Sequence, residues 1–235
     1  PGQRGALADE GAPRGEVGGV EEGRRRRAHG ARVGEGGARV GEGELQGFDA
    51  ELGRLGLEEM IAAFQPQAQG LVEGGADLLI LETGQDLLEM KAQVLAAREA
   101  FAATGRRVPL QCSVSLDPNG RMLLGTDVAA ALATFEALGV EVVGLNCSTG
   151  PDLMRDAVRY LSQNASTFLH VIPNAGLPIN DGGRAVFPMG PAAMAAILLE
   201  FVVEFGVNAV GGCCGTTPEH IRVLAEAIGQ RAPAG

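Results

Sequence analysis

From Phe48 to Ile228 the sequence alternates short apolar runs with longer segments of helical periodicity, and each apolar run ends in polar residues just ahead of the next helix. The runs ADLLILET, VPLQCSVSLD, EVVGLNC, TFLHVIP and NAVGGCC are apolar at successive positions more than at every second one. Strands of that kind are covered on both faces, as in a parallel sheet with helices packed on it. Right-handed βα connections leave two architectures, an open doubly wound sheet or a closed (β/α)8 barrel. The strand ends decide between them. Glu82 and Thr83, Asp117, Asn146 and Cys147, Asn174, and Cys213 and Cys214 all stand at C-terminal ends of successive strands. Residues from so many strands meet at one site only if the sheet curls round, so we expect an α/β fold of the (β/α)8 barrel type with its chemistry on the C-terminal face.

The helices have readable limits. Ile61, Phe64, Ala68, Leu71 and Val72 recur at helical spacing over Leu57 to Glu73, with Pro66 expected to kink the helix. Further helices are expected over Leu87 to Ala103, Thr126 to Leu138, Asp152 to Gln163, Pro191 to Phe205 and Pro218 to Ile228. Strands are expected over Glu141 to Cys147, Thr167 to Pro173 and Asn208 to Cys214. The apolar runs make five strands, where a closed barrel needs eight.

Residues 1–47 read differently. They hold fourteen glycines, eight arginines and eight acidic residues, with almost no large apolar side chain. Such a segment cannot bury enough surface to offset its ordering entropy. The acids cancel the basic block Arg24 to Arg27, and the Arg-rich, Lys-poor usage suggests a GC-rich reading frame. We therefore expect residues 1–47 to be a low-complexity segment, disordered or out of frame, and residues 48–235 to form the folded part.

The formal charge of −10 and a single lysine, Lys91, leave no general basic surface, so nucleic acid is not an expected partner. No apolar run approaches the roughly 18 residues of a membrane span, no secretory signal is visible, and four cysteines in 235 residues do not make a disulfide framework. The expectation is a soluble protein of the reducing cytoplasm, without a membrane partner.

Three of those cysteines stand at two strand ends. Cys213 and Cys214 lie side by side among Gly211, Gly212 and Gly215, and Cys147 follows Asn146 in EVVGLNCSTGPD. Adjacent side chains on a strand point to opposite faces, so the pair converges only if the backbone bends, which glycine permits. Three thiolates with one open position describe a catalytic zinc site, since structural zinc takes four protein ligands. On residue type alone the alternatives stand beside it: Cys147 as a small buried hydrophobe, and Cys213–Cys214 as an inert pair or a strained vicinal disulfide.

The stretches LLILETGQDLLEMKA, GRMLLGTDV, VGLNCSTGP, IPNAGLP and GGCCGTTPEHI resemble the homocysteine-binding domain of the homocysteine S-methyltransferase family, most of all its cobalamin-dependent branch. The likeness covers about residues 48–230, which correspond to strands four to eight of that family's barrel, with strands one to three missing or replaced. It implies that Cys147, Cys213 and Cys214 are zinc ligands. Glu82 and Thr83 would then bind substrate, with the Glu82 carboxylate as partner of the substrate's ammonium group, and the Asn174 amide oxygen would fill the open metal position before homocysteine arrives. The implied reaction is zinc-dependent activation of homocysteine as a thiolate that takes a methyl group to give methionine. The implied donor is methylcobalamin on a separate domain, replenished from methyltetrahydrofolate on a folate domain. S-methylmethionine, S-adenosylmethionine or betaine is the alternative donor, and an inactive zinc-binding fragment the third reading.

An incomplete barrel is expected to leave two bare sheet edges, along ADLLILET and along NAVGGCC. Leu79, Leu81, Val114, Val143 and Val171 are then expected to lose partners in the barrel interior. Cys112, mid-strand in LQCSVS, reads as core; His220 reads as a capping or surface residue; and His170 lies mid-strand. With so few histidines and no G-x-S-x-G a hydrolase triad is excluded, and the glycine-rich Gly34 to Gly43 lacks the ending of a phosphate loop.

Overall fold

The computed structural model describes residues 40–42 and 55–230. The readings made for residues 1–39 and for the boundary at Phe48 lie outside the described residues. In chain order the elements are β1 (Val40–Glu42), α1 (Leu57–Glu73), β2 (Leu78–Gly84), α2 (Leu87–Thr104), β3 (Leu110–Val114), α3 (Val128–Ala137) and β4 (Val142–Asn146). There follow α4 (Pro151–Asn164), β5 (Phe168–Ile172), β6 (Ile179–Asp181), β7 (Arg184–Val186), α5 (Pro191–Phe205), β8 (Ala209–Val210) and α6 (Pro218–Gly229). The helix starts follow their local chemistry. Asp86 accepts the Glu89 N–H at 2.9 Å, Asp127 accepts the Ala130 N–H at 3.0 Å, and α4, α5 and α6 each begin with proline. The first helix runs unbroken through Pro66.

Six strands form one parallel sheet in the order β1-β2-β3-β4-β5-β8. With helices between successive strands this is the partial (β/α) barrel expected. One expectation is corrected. Val40 lies opposite Leu78 and Glu42 opposite Ile80, so residues 1–47 do supply a strand and the edge along ADLLILET is covered. Three residues, Val-Gly-Glu, are too few to carry a detectable alternation. The last strand is shorter than Asn208 to Cys214: the ladder stops at Val210, and the backbone turns through the glycines to the two cysteines.

Register fixes what each face carries. Leu79 pairs with Leu110, Cys112 with Val143, Val143 with Leu169, and Leu145 with Val171, a continuous apolar layer. That layer forms one buried cluster with Val94, Phe135, Val158, Leu161, Phe201 and Leu224 from the helices. Leu79, Val114, Val143 and Val171 are each about 1% exposed, so they face the helices and keep their partners; Leu81 packs against the same cluster. The expectation that they lose packing partners was wrong, because an apolar strand residue of this fold has two buried faces to choose between. Cys112 is buried in the same layer, and burial pushes its thiol far above the usual range.

The opposite face carries the buried polar side chains. Gln111, Ser113, Asn146 and His170 are all buried there. His170 pairs with Gly144, and its Nε2 lies 3.3 Å from the Cys112 carbonyl on the strand beyond. The imidazole thus crosses β4 where Gly144 offers no side chain: a Cβ at Gly144 would lie 2.4 Å from the ring Cδ2. Its Nδ1 has no hydrogen-bond partner, and complete burial lowers its pKa to about 4.

A short antiparallel hairpin, β6 with β7, projects from the C-terminal end of the barrel between β5 and α5. It was missed in the sequence, although Gly182 and Gly183, both at positive φ, are the turn signal that joins the two strands. No helix among the described residues is long and apolar enough to cross a membrane.

Candidate metal centre

The thiols are brought together by the end of β5, which lies between the two strands that carry them. On one side Cys147 donates its N–H to Ile172 at 3.1 Å, and Asn174 donates to Thr149 at 3.0 Å. On the other, Cys213 donates to Pro173 at 2.8 Å, and Ala175 donates to Cys214 at 2.9 Å. Asn174, 3% exposed, completes the seam with its side-chain oxygen, which accepts the Cys214 N–H at 3.0 Å. That oxygen was expected at the open metal position; here it is engaged by the backbone of a thiol residue. Its amide also favours the thiolate at Cys147. Asn174 is therefore attached to both sulfur-bearing loops.

The sulfur atoms of Cys147, Cys213 and Cys214 all lie within 4.8 Å of one another. Cys147 Sγ is 3.8 Å from Cys214 Sγ, which is 3.9 Å from Cys213 Sγ. Two ligands of a tetrahedral zinc, each at about 2.3 Å from the metal, stand roughly 3.8 Å apart, so the sulfur spacing fits that ion. Cys147 and Cys213 are half-buried and Cys214 is exposed, leaving one side of the triangle open. Charge is unevenly shared. Hydrogen bonding from Cys213 lowers the Cys147 thiol to about 5, while that same bond and burial push Cys213 well above the usual range. Burial and the Cys147 charge raise Cys214. One thiolate is thus favoured and the other two disfavoured by their mutual proximity, a repulsion that a divalent metal would relieve.

Backbone strain surrounds the same spot. Among the described residues, the non-glycine positions with positive φ are Thr83 (59°), Cys147 (58°) and Ser148 (61°), all at strand ends beside the thiols. Strain of that sort collects at functional sites. At the other cysteine loop Gly215 takes φ 77°, and a Cβ there would lie 2.2 Å from Phe187, so the chain after Cys214 is pressed against the segment following the hairpin. His220 is a cap, as read: its Nδ1 accepts the Thr217 N–H at 3.1 Å, and its Nε2 lies 3.0 Å from the Met189 carbonyl.

Glu82 and Thr83 are both half-buried, on the last residues of β2. Alternation places Glu82 on the Ile80 side, the polar face of the sheet. Thr83 donates its N–H to Asn146 Oδ1 at 2.9 Å and accepts from Asn146 Nδ2 at 2.9 Å, so the expected substrate residues and the first thiol are linked by one side chain. Asn146 was among the strand-end residues singled out in the sequence, though with no role of its own; Ser113 and Ser115, which hydrogen-bond it, were missed. The polar residues in LQCSVSLD, a run otherwise apolar, were the signal available.

A family model described as homocysteine S-methyltransferase matches residues 18–228, beginning inside the segment that the sequence reading set apart. The methionine synthase of Mycobacterium leprae is 47% identical over 166 residues, which is 71% of this chain and 14% of that protein. The methionine synthase of Mycobacterium tuberculosis is 46% identical over the same length and shares. The chain thus spans 14% of the length of these curated relatives. The homocysteine methyltransferase MmuM from Escherichia coli, in its apo form, matches with a TM-score of 0.58 at 26% identity, over 74% of this chain and 58% of that one. Its metallated form matches with a TM-score of 0.56 at 25% identity, over 74% and 52%.

Proposed function

Because the chain belongs to the homocysteine S-methyltransferase family, we propose that Cys147, Cys213 and Cys214 hold a zinc ion that activates homocysteine for methyl transfer to give methionine. The observation that carries this reading is the sulfur triangle, whose 3.8 and 3.9 Å edges suit a tetrahedral ion with one position left for the substrate. Zinc supplies the charge that keeps the homocysteine sulfur a thiolate at neutral pH. The rest of the work falls to the chain. Asn174 and the end of β5 hold the two thiol loops at their spacing, and Glu82 and Thr83 hold the amino-acid end of the substrate. The thiolate sulfur forms its bond to the methyl carbon as the bond between that carbon and the donor breaks. Likeness to methionine synthases at 46–47% identity favours methylcobalamin, carried with the folate site on other domains of a longer protein.

The test is zinc content together with turnover. Purified under reducing conditions, the chain should carry one zinc and form methionine from homocysteine and supplied methylcobalamin. Replacing both Cys213 and Cys214 by serine should abolish both. Full zinc occupancy in that double variant would sink the reading.

A further inference from the structure

We propose that Asn146 is a positioning residue, whose single buried amide holds the ends of β2 and β4 in the left-handed conformations that set Glu82 and Thr83 against Cys147. What it positions rests on the function proposed above; how it does so rests on the geometry alone. Asn146 is fully buried at the end of β4, next to the first thiol. Its Oδ1 accepts two hydrogen bonds, from the Thr83 N–H at 2.9 Å and from Ser113 Oγ at 2.7 Å. Its Nδ2 donates to Thr83 Oγ1 at 2.9 Å. Its carbonyl accepts Ser115 Oγ at 2.9 Å, which fixes the peptide that enters Cys147.

Thr83 is the residue that most needs such a hold. A β-branched side chain at φ 59° is a genuine outlier, and left alone it would return to the extended region. The turn it makes is where the β2–β3 register breaks, between Leu81 and Gly84, so the direction of the strand end depends on it. Gly84 is caught on its far side: its carbonyl accepts the Ser115 N–H at 3.0 Å, and a Cβ there would lie 2.4 Å from Met90 Sδ. Asn146 thus reaches across β3 and grips Thr83 by both backbone and side chain. Releasing the grip lets the substrate end of β2 swing without touching a sulfur.

The experiment compares Asn146→Ala, Asn146→Asp and Asn146→Ala combined with Thr83→Gly. In the crystal structure of Asn146→Ala, Thr83 should return to negative φ. The KM for homocysteine should rise roughly tenfold or more, with kcat changed less and zinc content unaltered. Asn146→Asp keeps the acceptor for the Thr83 N–H and Ser113 but loses the Nδ2 donor and buries a carboxylate, so Thr83 should keep its positive φ while the melting temperature falls. Adding Thr83→Gly should restore the positive φ at position 83 and recover most of the melting temperature lost in Asn146→Ala, because glycine takes a left-handed φ without strain. If Asn146→Ala does not fold, recovery of folding by Thr83→Gly supports the proposal and failure to recover overturns it. Thr83 still at positive φ in Asn146→Ala, or an unchanged KM in the folded variant, overturns it as well. Absence of methyl transfer in the unsubstituted chain would defeat the functional reading instead, and the φ of Thr83 would still decide this one.

Discussion

The side-chain oxygen of Asn174 accepts the backbone N–H of Cys214 at 3.0 Å while its own backbone N–H donates to the Thr149 carbonyl at 3.0 Å, so one buried residue bridges the loops that carry the three thiols. Outer partners of this kind orient metal ligands. Asn174→Ala should therefore lower zinc affinity by roughly ten- to a hundredfold while leaving the fold intact. Competition with a zinc chelator measures it; an unchanged affinity would reduce Asn174 to a turn residue.

Glu82→Gln removes a charge on the polar face and no sulfur. If Glu82 meets the substrate ammonium, the KM for homocysteine should rise roughly ten- to a hundredfold. Zinc content, measured on the same preparation, should stay at the parent value. A parent-like KM would assign Glu82 to the structure of the strand end.

His170 gives the fold a pH dependence of known sign. Burial depresses its pKa from 6.5 to about 4, so at neutral pH both folded and unfolded chains hold it uncharged and nothing is lost. As pH falls below 6.5, the unfolded chain takes up the proton first, and stability declines through that window until the folded form also titrates near pH 4. The loss should amount to roughly 3 kcal/mol across the window. His170→Gln, which can still donate to the Cys112 carbonyl, should flatten the pH dependence of the urea midpoint. An identical slope in the variant would place the titration elsewhere.

Gly144→Ala tests the crossing of β4 by the His170 ring. The added methyl would lie 1.9 Å from the His170 carbonyl oxygen and 2.4 Å from the ring. Neither strand can yield without breaking the ladder, so a loss of about 1–3 kcal/mol or more is expected. A melting temperature within a degree of the parent would show that the strands can part.

How much of this was legible beforehand differs from residue to residue. The limits of α1 and α5 and the starts of α2 and α6 were readable because periodicity, proline at the first turn and glycine at the end are local properties. Cys147, Cys213 and Cys214 could be proposed together because strand ends of a parallel barrel all open on one face, whatever their separation in sequence. Three things could not be read. That Val143 and Val171 face the helices depends on register, and a strand apolar on both sides does not encode its own orientation. The strand Val40–Glu42 has no pattern of its own and exists only through pairing with Leu78, Leu79 and Ile80. The grip of Asn146 on Thr83 spans 63 residues, and hydrogen bonds at that separation belong to the assembled sheet alone. Sequence by itself singled out the residues proposed to carry the chemistry and the strand ends at which they lie. The sulfur spacing, the left-handed Thr83 and the His170 crossing were decided by the tertiary structure, because each needs two chain segments to come within about 3–4 Å of one another.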